Sequence, residues 1–249
     1  MSPLDAVAVF AAGIAAGTIN TVVGSGTLVT FPVLLSVGYS PVTANVSNTV
    51  GLVPGAASGA YGYRRELRGQ RRRTVPLATA SVLGGLCGSV LLLSLPASAF
   101  KEIVPAFIVI ALVLILIQPR LSTAIERRRR PHGMAGPLTT VGVFATGIYG
   151  GYFGAAQGIM LLAILGLGLD DELQRTNALK VVLTGLVNLV AGIVFVIVAH
   201  IAWLAALLIA VGSTIGGVLG ARYGRRLPEP ALRAVIVVVG IVAIVRLLA

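Results

Sequence analysis

Lys180 lies in Asn177-Ala-Leu-Lys180-Val-Val-Leu-Thr184-Gly-Leu-Val-Asn188, part of an apolar run long enough to cross a bilayer. A charge held near mid-membrane costs about 2.5–3.5 kcal/mol on insertion scales, so it is normally paired, water-lined or functional. Asn177, Thr184 and Asn188 sit about one helical turn before it and one and two turns after it, on one face. A cation beside amide and hydroxyl groups on one buried stripe is the chemistry of an anion site. The competing reading has Lys180 snorkel to the nearer interface, because the acidic turn Asp170-Asp171-Glu172 is about two helical turns away.

A second polar group lies in Asn20-Thr-Val-Val-Gly24-Ser25-Gly26-Thr27, directly before a short apolar segment. Free N–H groups at a helix start favour an anion, and glycine lets it approach closely. Ser25 and Thr27 add hydroxyl donors. The matching turn further along is Gly154-Ala-Ala-Gln157-Gly158, with Gln157 as its amide. Two such turns facing each other, with Asn45, Asn48 and Lys180 between them, would enclose an anion at mid-membrane. Read blandly, Ser-Gly-Thr is helix packing and the asparagines are interhelical glue.

The elements that must hold these residues are membrane helices. Hydrophobic residues make up 57% of the 249-residue chain and charged residues 11%, against a soluble norm near 25% charged. Several stretches of roughly 20 apolar residues follow one another. The fold class is an all-α polytopic membrane protein of eight to ten short segments. Its 31 glycines suit close packing and broken helices. Cys87 stands alone, which excludes an intrachain disulfide. The N-terminus, with Asp5 and no basic stretch, does not read as a cleaved signal peptide.

The net charge of +11 is not a nucleic-acid signature, because of where it falls. Six arginines lie within residues 64–73, five within 120–130 and three within 222–226, all flanking apolar spans. That pattern places each cluster on the cytoplasmic side, against the lipid surface.

The chain also repeats itself. Gly17 and Gly24 recur as Gly147 and Gly154, 130 residues on, and Asn45-Val-Ser-Asn48 recurs as Asn177-Ala-Leu-Lys180, 132 residues on. Gly84, Gly85 and Gly88 map onto Gly216, Gly217 and Gly220, and Pro96 onto Pro228, at that second offset. Two tandem repeats are expected, 1–118 and 136–249, joined by a basic cytoplasmic linker at 119–135. Each repeat has a glycine-rich segment (4–23, 137–156) and a short broken or re-entrant one (27–37, 157–168). A long polar-striped helix (42–62, 174–199), a glycine-rich helix (74–95, 201–221) and a last helix (100–118, 231–249) follow. Pro96 is expected outside and its counterpart beside Arg222 inside, so inverted repeats are favoured over parallel ones.

The run Ala-Ala-Gly17-Thr-Ile-Asn20-Thr-Val-Val-Gly24-Ser25-Gly26-Thr27-Leu-Val-Thr-Phe-Pro32-Val-Leu-Leu, with Ala44-Asn45-Val-Ser-Asn48, resembles the TauE/SafE sulfite-exporter family, also called TSUP. Gly24, Ser25, Gly26, Pro32, Ala44 and Asn45 carry the likeness, and Gly-Gly-Tyr-Phe-Gly154-Ala-Ala-Gln157-Gly158 is similar. The resemblance covers nearly the whole chain, on motifs built mostly of glycine and small residues. A Gly-Gly-Gly turn common in that family reads Gly24-Ser25-Gly26 here. The resemblance implies a multi-pass carrier in a bacterial inner membrane, with no cofactor, moving small sulfur anions such as sulfite, thiosulfate and sulfonates. The residues alone point to an anion pocket in a repeat-built transporter. Sulfur comes only from the resemblance.

All eight acidic residues fall in loops or near segment ends, so no carboxylate stands out as a proton relay. This suggests electrogenic export down the membrane potential. An anion channel and a non-transporting membrane protein remain the alternatives. No Ser/His/Asp set, metal-binding His-Glu-x-x-His or paired carboxylate falls in the apolar spans, which argues against an enzyme. The oligomeric state, a homo-oligomer included, is left open.

Overall fold

A computed structural model describes residues 1–127, 136–169 and 171–224, with 234, 236–238 and 241. The described residues form nine helices: α1 (Pro3–Val22), α2 (Thr27–Ser36), α3 (Pro41–Gly62), α4 (Arg71–Ser94), α5 (Ala97–Arg127), α6 (Pro137–Tyr152), α7 (Gln157–Gly168), α8 (Leu173–Val198) and α9 (Trp203–Tyr223). The expected order of segments up to 223 is present. Most of the expected last helix lies outside the described residues, as do Asp170, Arg225, Arg226, Pro228, Glu229 and residues 128–135 of the linker. Two boundaries differ from expectation. Helix α5 continues through Pro119 to Arg127, so the first part of the expected linker is helical. Arg71, Arg72 and Arg73 open α4 rather than sit in a loop.

Five helices, α1, α4, α5, α8 and α9, are long and apolar enough to cross a membrane. This is a multi-pass membrane protein. Helix α3 matches them in length but not in hydropathy, because it carries Asn45, Ser47, Asn48 and Thr49 within little more than one turn. All four are buried, so this turn of α3 is surrounded by protein rather than lipid, while Pro54, Ala57 and Tyr61 further along are exposed. Helices α2 and α7 are too short to span.

Local chemistry sets the helix ends. Ser2 caps α1, with Asp5 returning the bond to the Ser2 N–H (2.7 Å) and Pro3 in the first turn. Ser40 and Pro41 start α3 in the same way. Helices α1 and α6 stop alike. Gly24 N–H bonds Ile19 O at 2.9 Å and Gly154 N–H bonds Tyr149 O at 3.1 Å, both glycines at positive φ (92° and 79°). Such an i to i−5 bond at a left-handed glycine ends a helix.

Packing runs crosswise along the chain. Helix α1 lies on α9, with Gly13 against Ile209 and Thr18 Oγ1 bonded to Gly216 O at 3.1 Å, so the two run in the same direction. Helix α6 lies on α4 in the same manner, Gly84 facing Phe144 and Gly88 facing Ile148. Helices α3 and α9 are parallel (Ser213 Oγ to Gly51 O, 2.8 Å; Ser58 Oγ to Thr214 O, 3.0 Å), as are α4 and α8 (Ser81 Oγ to Leu183 O, 3.2 Å, with Gly85 on Val187). Helices α3 and α8 run oppositely, Gly192 meeting Val50 and Gly59 meeting Val181. Glycine makes these backbone approaches available in an apolar medium, where packing rather than water exclusion drives association.

One end of the bundle is clasped by charge. Asp171 bonds Arg73 and, at 3.1 Å, Arg175, while Gln70 Nε2 reaches Arg175 O at 3.2 Å. Burial pushes the Asp171 carboxyl up. The hydrogen bonds from Arg73, the Glu172 N–H and Arg175 outweigh that and hold it below the usual carboxylate range. At the other end the comparable link is neutral, Ala202 N–H to Ser47 Oγ at 2.9 Å.

Candidate functional site

The two expected turns meet. Gly158 N–H donates to Gly24 O at 3.0 Å, and a Cβ on Gly24 would come within 2.5 Å of Gly158 Cα. Helices α2 and α7 therefore start side by side from the breaks that end α1 and α6. Their starts differ in one respect. In α7 the first N–H groups are engaged, Gln157 N–H by Gly154 O (3.2 Å) and Gly158 N–H by Gly24 O. In α2 the N–H groups of Ser25, Gly26 and Thr27 find no backbone acceptor. Ala155 and Ala156 N–H, just ahead of α7, likewise find none, so the two starts differ only in that Gln157 N–H is engaged and Thr27 N–H is not; donors of the kind expected are left at both turns.

Asn45 and Asn177 hold the two helix ends crosswise. Asn45 Nδ2, from α3, donates to Tyr152 O at the end of α6 (3.0 Å), and Asn177 Nδ2, from α8, donates to Thr21 O at the end of α1 (3.3 Å). Lys180 joins Asn177. Its Nζ faces Asn20 O, Thr21 O and Val22 O at 3.4, 3.3 and 3.5 Å. The last carbonyls of a helix carry partial negative charge, and a cation there is stabilised. Lys180 has 0% exposure, so it does not snorkel. It is the only charged residue in the buried core among the described residues, and no described carboxylate pairs with it. The side chain read as facing an anion directly is turned instead toward the end of α1, one turn before Ser25.

Asn48, the counterpart of Lys180, packs on the start of α2. Its Nδ2 donates to Thr27 Oγ1 at 3.3 Å and its Oδ1 accepts from Thr30. Asn20 is half-buried and contributes its carbonyl to Lys180. Gly26 caps α2 where it folds back on α1; a Cβ there would lie 2.5 Å from Ala16 O. Thr184 turns to Lys180 O (2.9 Å), and both Thr184 and Asn188 are buried. Gln157 is packed flat over Gly150 with neither amide atom bonded, and Ser25 Oγ is likewise unpaired, each at 1% exposure.

Sequence reasoning missed several neighbours. Thr30 holds Asn48; its signal was a hydroxyl one turn after Thr27 on the same face. Phe31, Phe100 and Phe153 pack edge to face beside the crossing, with Phe31 and Phe153 centroids 5.2 Å apart and Tyr152 tilted against Phe100. Phe31 follows the first polar turn and Tyr152-Phe153 directly precede the second, but nothing there indicated that they meet. Two apolar cavities lie elsewhere, about 190 Å³ between α3 and α8 and about 310 Å³ among α4, α5 and α6. Neither is lined by Ser25, Asn45, Gln157 or Lys180.

Broken helices meeting inside an apolar bundle, with polar side chains gathered at the breaks, define a multi-pass membrane transporter. The sequence comparisons narrow the class. The chain belongs to the sulfite exporter TauE/SafE family, whose profile matches residues 9–247. It is 26% identical to the "probable membrane transporter protein YfcA" of Escherichia coli (strain K12), over 100% of this chain and 91% of that protein. It is 28% identical to the "probable membrane transporter protein ORF9" of Sinorhizobium sp, over 96% and 91% of the two chains. A "probable membrane transporter protein" of Haemophilus influenzae is 27% identical, over 92% and 89%. No solved structure matches the chain.

Proposed function

We propose that the protein carries small anions, sulfur oxyanions or sulfonates among them, out of the cell across a bacterial inner membrane. The observation that carries this reading is Lys180, fully buried without a carboxylate beside the crossing of α2 and α7. Two helix starts converge there, each worth roughly half a positive charge, and the ends of α1 and α6 offset them by a similar amount, so the Lys180 ammonium is the excess. An anion is the species that relieves such an excess in a low-dielectric interior. Ser25, Gly24, Gly26, Thr27, Asn45, Asn48, Gln157, Asn177 and Asn20 form the rest of the binding region.

The frame is a pair of inverted repeats, 1–118 and 136–249. In support, α1 follows α9 and α6 follows α4, while α3 and α8 oppose each other, so exchanging corresponding helices reproduces the same contacts. The burial of Ser25, Asn45, Gln157 and Lys180 favours a carrier with an occluded site over an open pore.

The test is anion-induced thermal stabilisation of purified protein together with flux in proteoliposomes, for wild type and Lys180→Met. Selective stabilisation by a sulfur oxyanion, saturable counterflow and loss of both in the variant are expected. Non-saturating flux would indicate a channel. Unchanged flux in the variant, or flux indifferent to an imposed potential, would refute the site or the electrogenic mode respectively.

A further inference from the structure

The unpaired atoms at the crossing of α2 and α7 say more than its charge. Asn45 and Asn177 each present their NH2 group to a main-chain carbonyl. A carbonyl only accepts, so both amides are fixed in orientation and both Oδ1 atoms must point the other way. Each Oδ1 is buried and has no donor. Gln157 adds a second kind of vacancy, with both its Oε1 and its Nε2 unpaired at 1% exposure. These groups cluster about one place. Asn45 and Gln157 flank the last turn of α6, through Tyr152 and Gly150. Asn177 sits at the end of α1, three residues before Gly24, which itself bonds Gly158 beside Gln157.

A simple oxyanion cannot satisfy this set. Its oxygens only accept, so it would use the Lys180 charge, the Ser25 hydroxyl and the Gln157 NH2 but leave every amide oxygen facing a like lone pair. Buried acceptors left without donors are costly, and a site built with them discriminates against ligands that cannot donate. The charge count sets a second limit. With Lys180 the only charged residue in the described core, a dianion would bring one uncompensated charge into an apolar interior.

Resting on the anion-carrier reading above, we propose that the substrate class is a monoanion bearing its own hydrogen-bond donor, an O–H or N–H beside the anionic group. The ligand's oxygens meet the donors at the start of α2, and its own hydrogens meet the oxygens of Gln157 and the asparagines.

Three tetrahedral probes separate the terms. Methanesulfonate and sulfamate are near-isosteric monoanions that differ in a methyl against an NH2 group; sulfate has similar shape and two charges. Affinities are measured by calorimetry or thermal shift on the full-length protein in detergent at neutral pH. Sulfamate binding at least tenfold tighter than methanesulfonate, with sulfate weakest, is expected. Gln157→Met should shrink the sulfamate advantage severalfold. Equal affinity for sulfamate and methanesulfonate, as when trapped water already satisfies the amides, overturns the proposal, as does a preference for sulfate. An undiminished advantage in Gln157→Met overturns the role given to Gln157. In all these results anion binding itself stands, whereas binding of none of the three probes removes the anion-carrier reading too.

Discussion

Replacing Gly24 by alanine tests the meeting of the two breaks, and the cost can be built from separate parts. Gly24 has φ +92°, where an L side chain is strained by about 1–2 kcal/mol. Its new Cβ would also fall 2.5 Å from Gly158 Cα and 2.9 Å from Gly158 C, both backbone atoms that no rotamer change can move. Overpacking of this kind costs about 1–3 kcal/mol. Separating the two segments would stretch the 3.0 Å bond from Gly158 N–H to Gly24 O, worth about 1 kcal/mol. The sum is about 3–6 kcal/mol. Two other glycines isolate the parts. Gly69, at φ +77° with nothing within 4 Å of an added Cβ, carries the strain alone. Gly158, a helical residue whose Cβ would overlap Gly24 Cα, carries the contact alone. Thermal unfolding in detergent should rank Gly24→Ala far below Gly69→Ala, by on the order of 10 °C. The double variant Gly24→Ala/Gly158→Ala should be less destabilised than the sum of the singles, because the second Cβ enters a gap already forced open. If Gly24→Ala melts with Gly69→Ala, the two breaks are not in contact and the geometry of the site is wrong.

Further expectations concern the charges and the orphaned amide. Lys180→Met should strip Asn20 O and Val22 O of their side-chain donor, leaving Thr21 O to Asn177, and lower stability by about 2–4 kcal/mol, as measured by unfolding; wild-type stability would mean Lys180 does not cap α1. Gln157→Met should leave stability within about 0.5 kcal/mol of wild type, since it removes no internal bond, while shrinking the extra stabilisation by sulfamate over methanesulfonate; a large loss of stability would reveal a structural partner. Asp171→Asn should cost about 2 kcal/mol at neutral pH, the worth of hydrogen bonds to a charged group. Because the folded carboxyl lies below its ordinary value, its contribution is present above about pH 4 and fades as pH falls through the lowered value. Melting curves of Asp171→Asn and wild type should therefore converge in acid, and a gap that persists there would exclude the ionised clasp.

The order of elements was legible because it follows from solvent. Apolar length gave the spanning helices, glycine with following short runs gave the breaks, and a polar stripe gave α3 and α8 as inner helices. The candidate site was legible as a list of residues, and Asn45, Asn177 and Lys180 do gather at the two breaks. What each side chain touches was not. Lys180 was read by its charge, yet its partners are main-chain carbonyls, which every residue has and no sequence pattern marks. The contact of Gly24 with Gly158 is tertiary, and glycine at both positions is consistent with many neighbours. The clasp of Asp171 with Arg73 joins residues 98 apart and carries no periodicity. Helix α5 runs on past its expected end at 118 because the basic residues that follow were assigned to the linker, whereas the helix accommodates Pro119 and continues to Arg127.

Asn45 and Asn177 do the same work on opposite sides of the bundle, but one turn further along α3 carries Asn48 where α8 carries Lys180. Two identical polypeptides closing around an axis would have to duplicate whichever residue stood at that place, giving a centre with two ammonium groups or with none. A single continuous chain escapes this parity. It can set an odd charge in a nearly symmetric frame, so that, on the anion-carrier proposal, one codon on one side decides which ionic valence the centre tolerates.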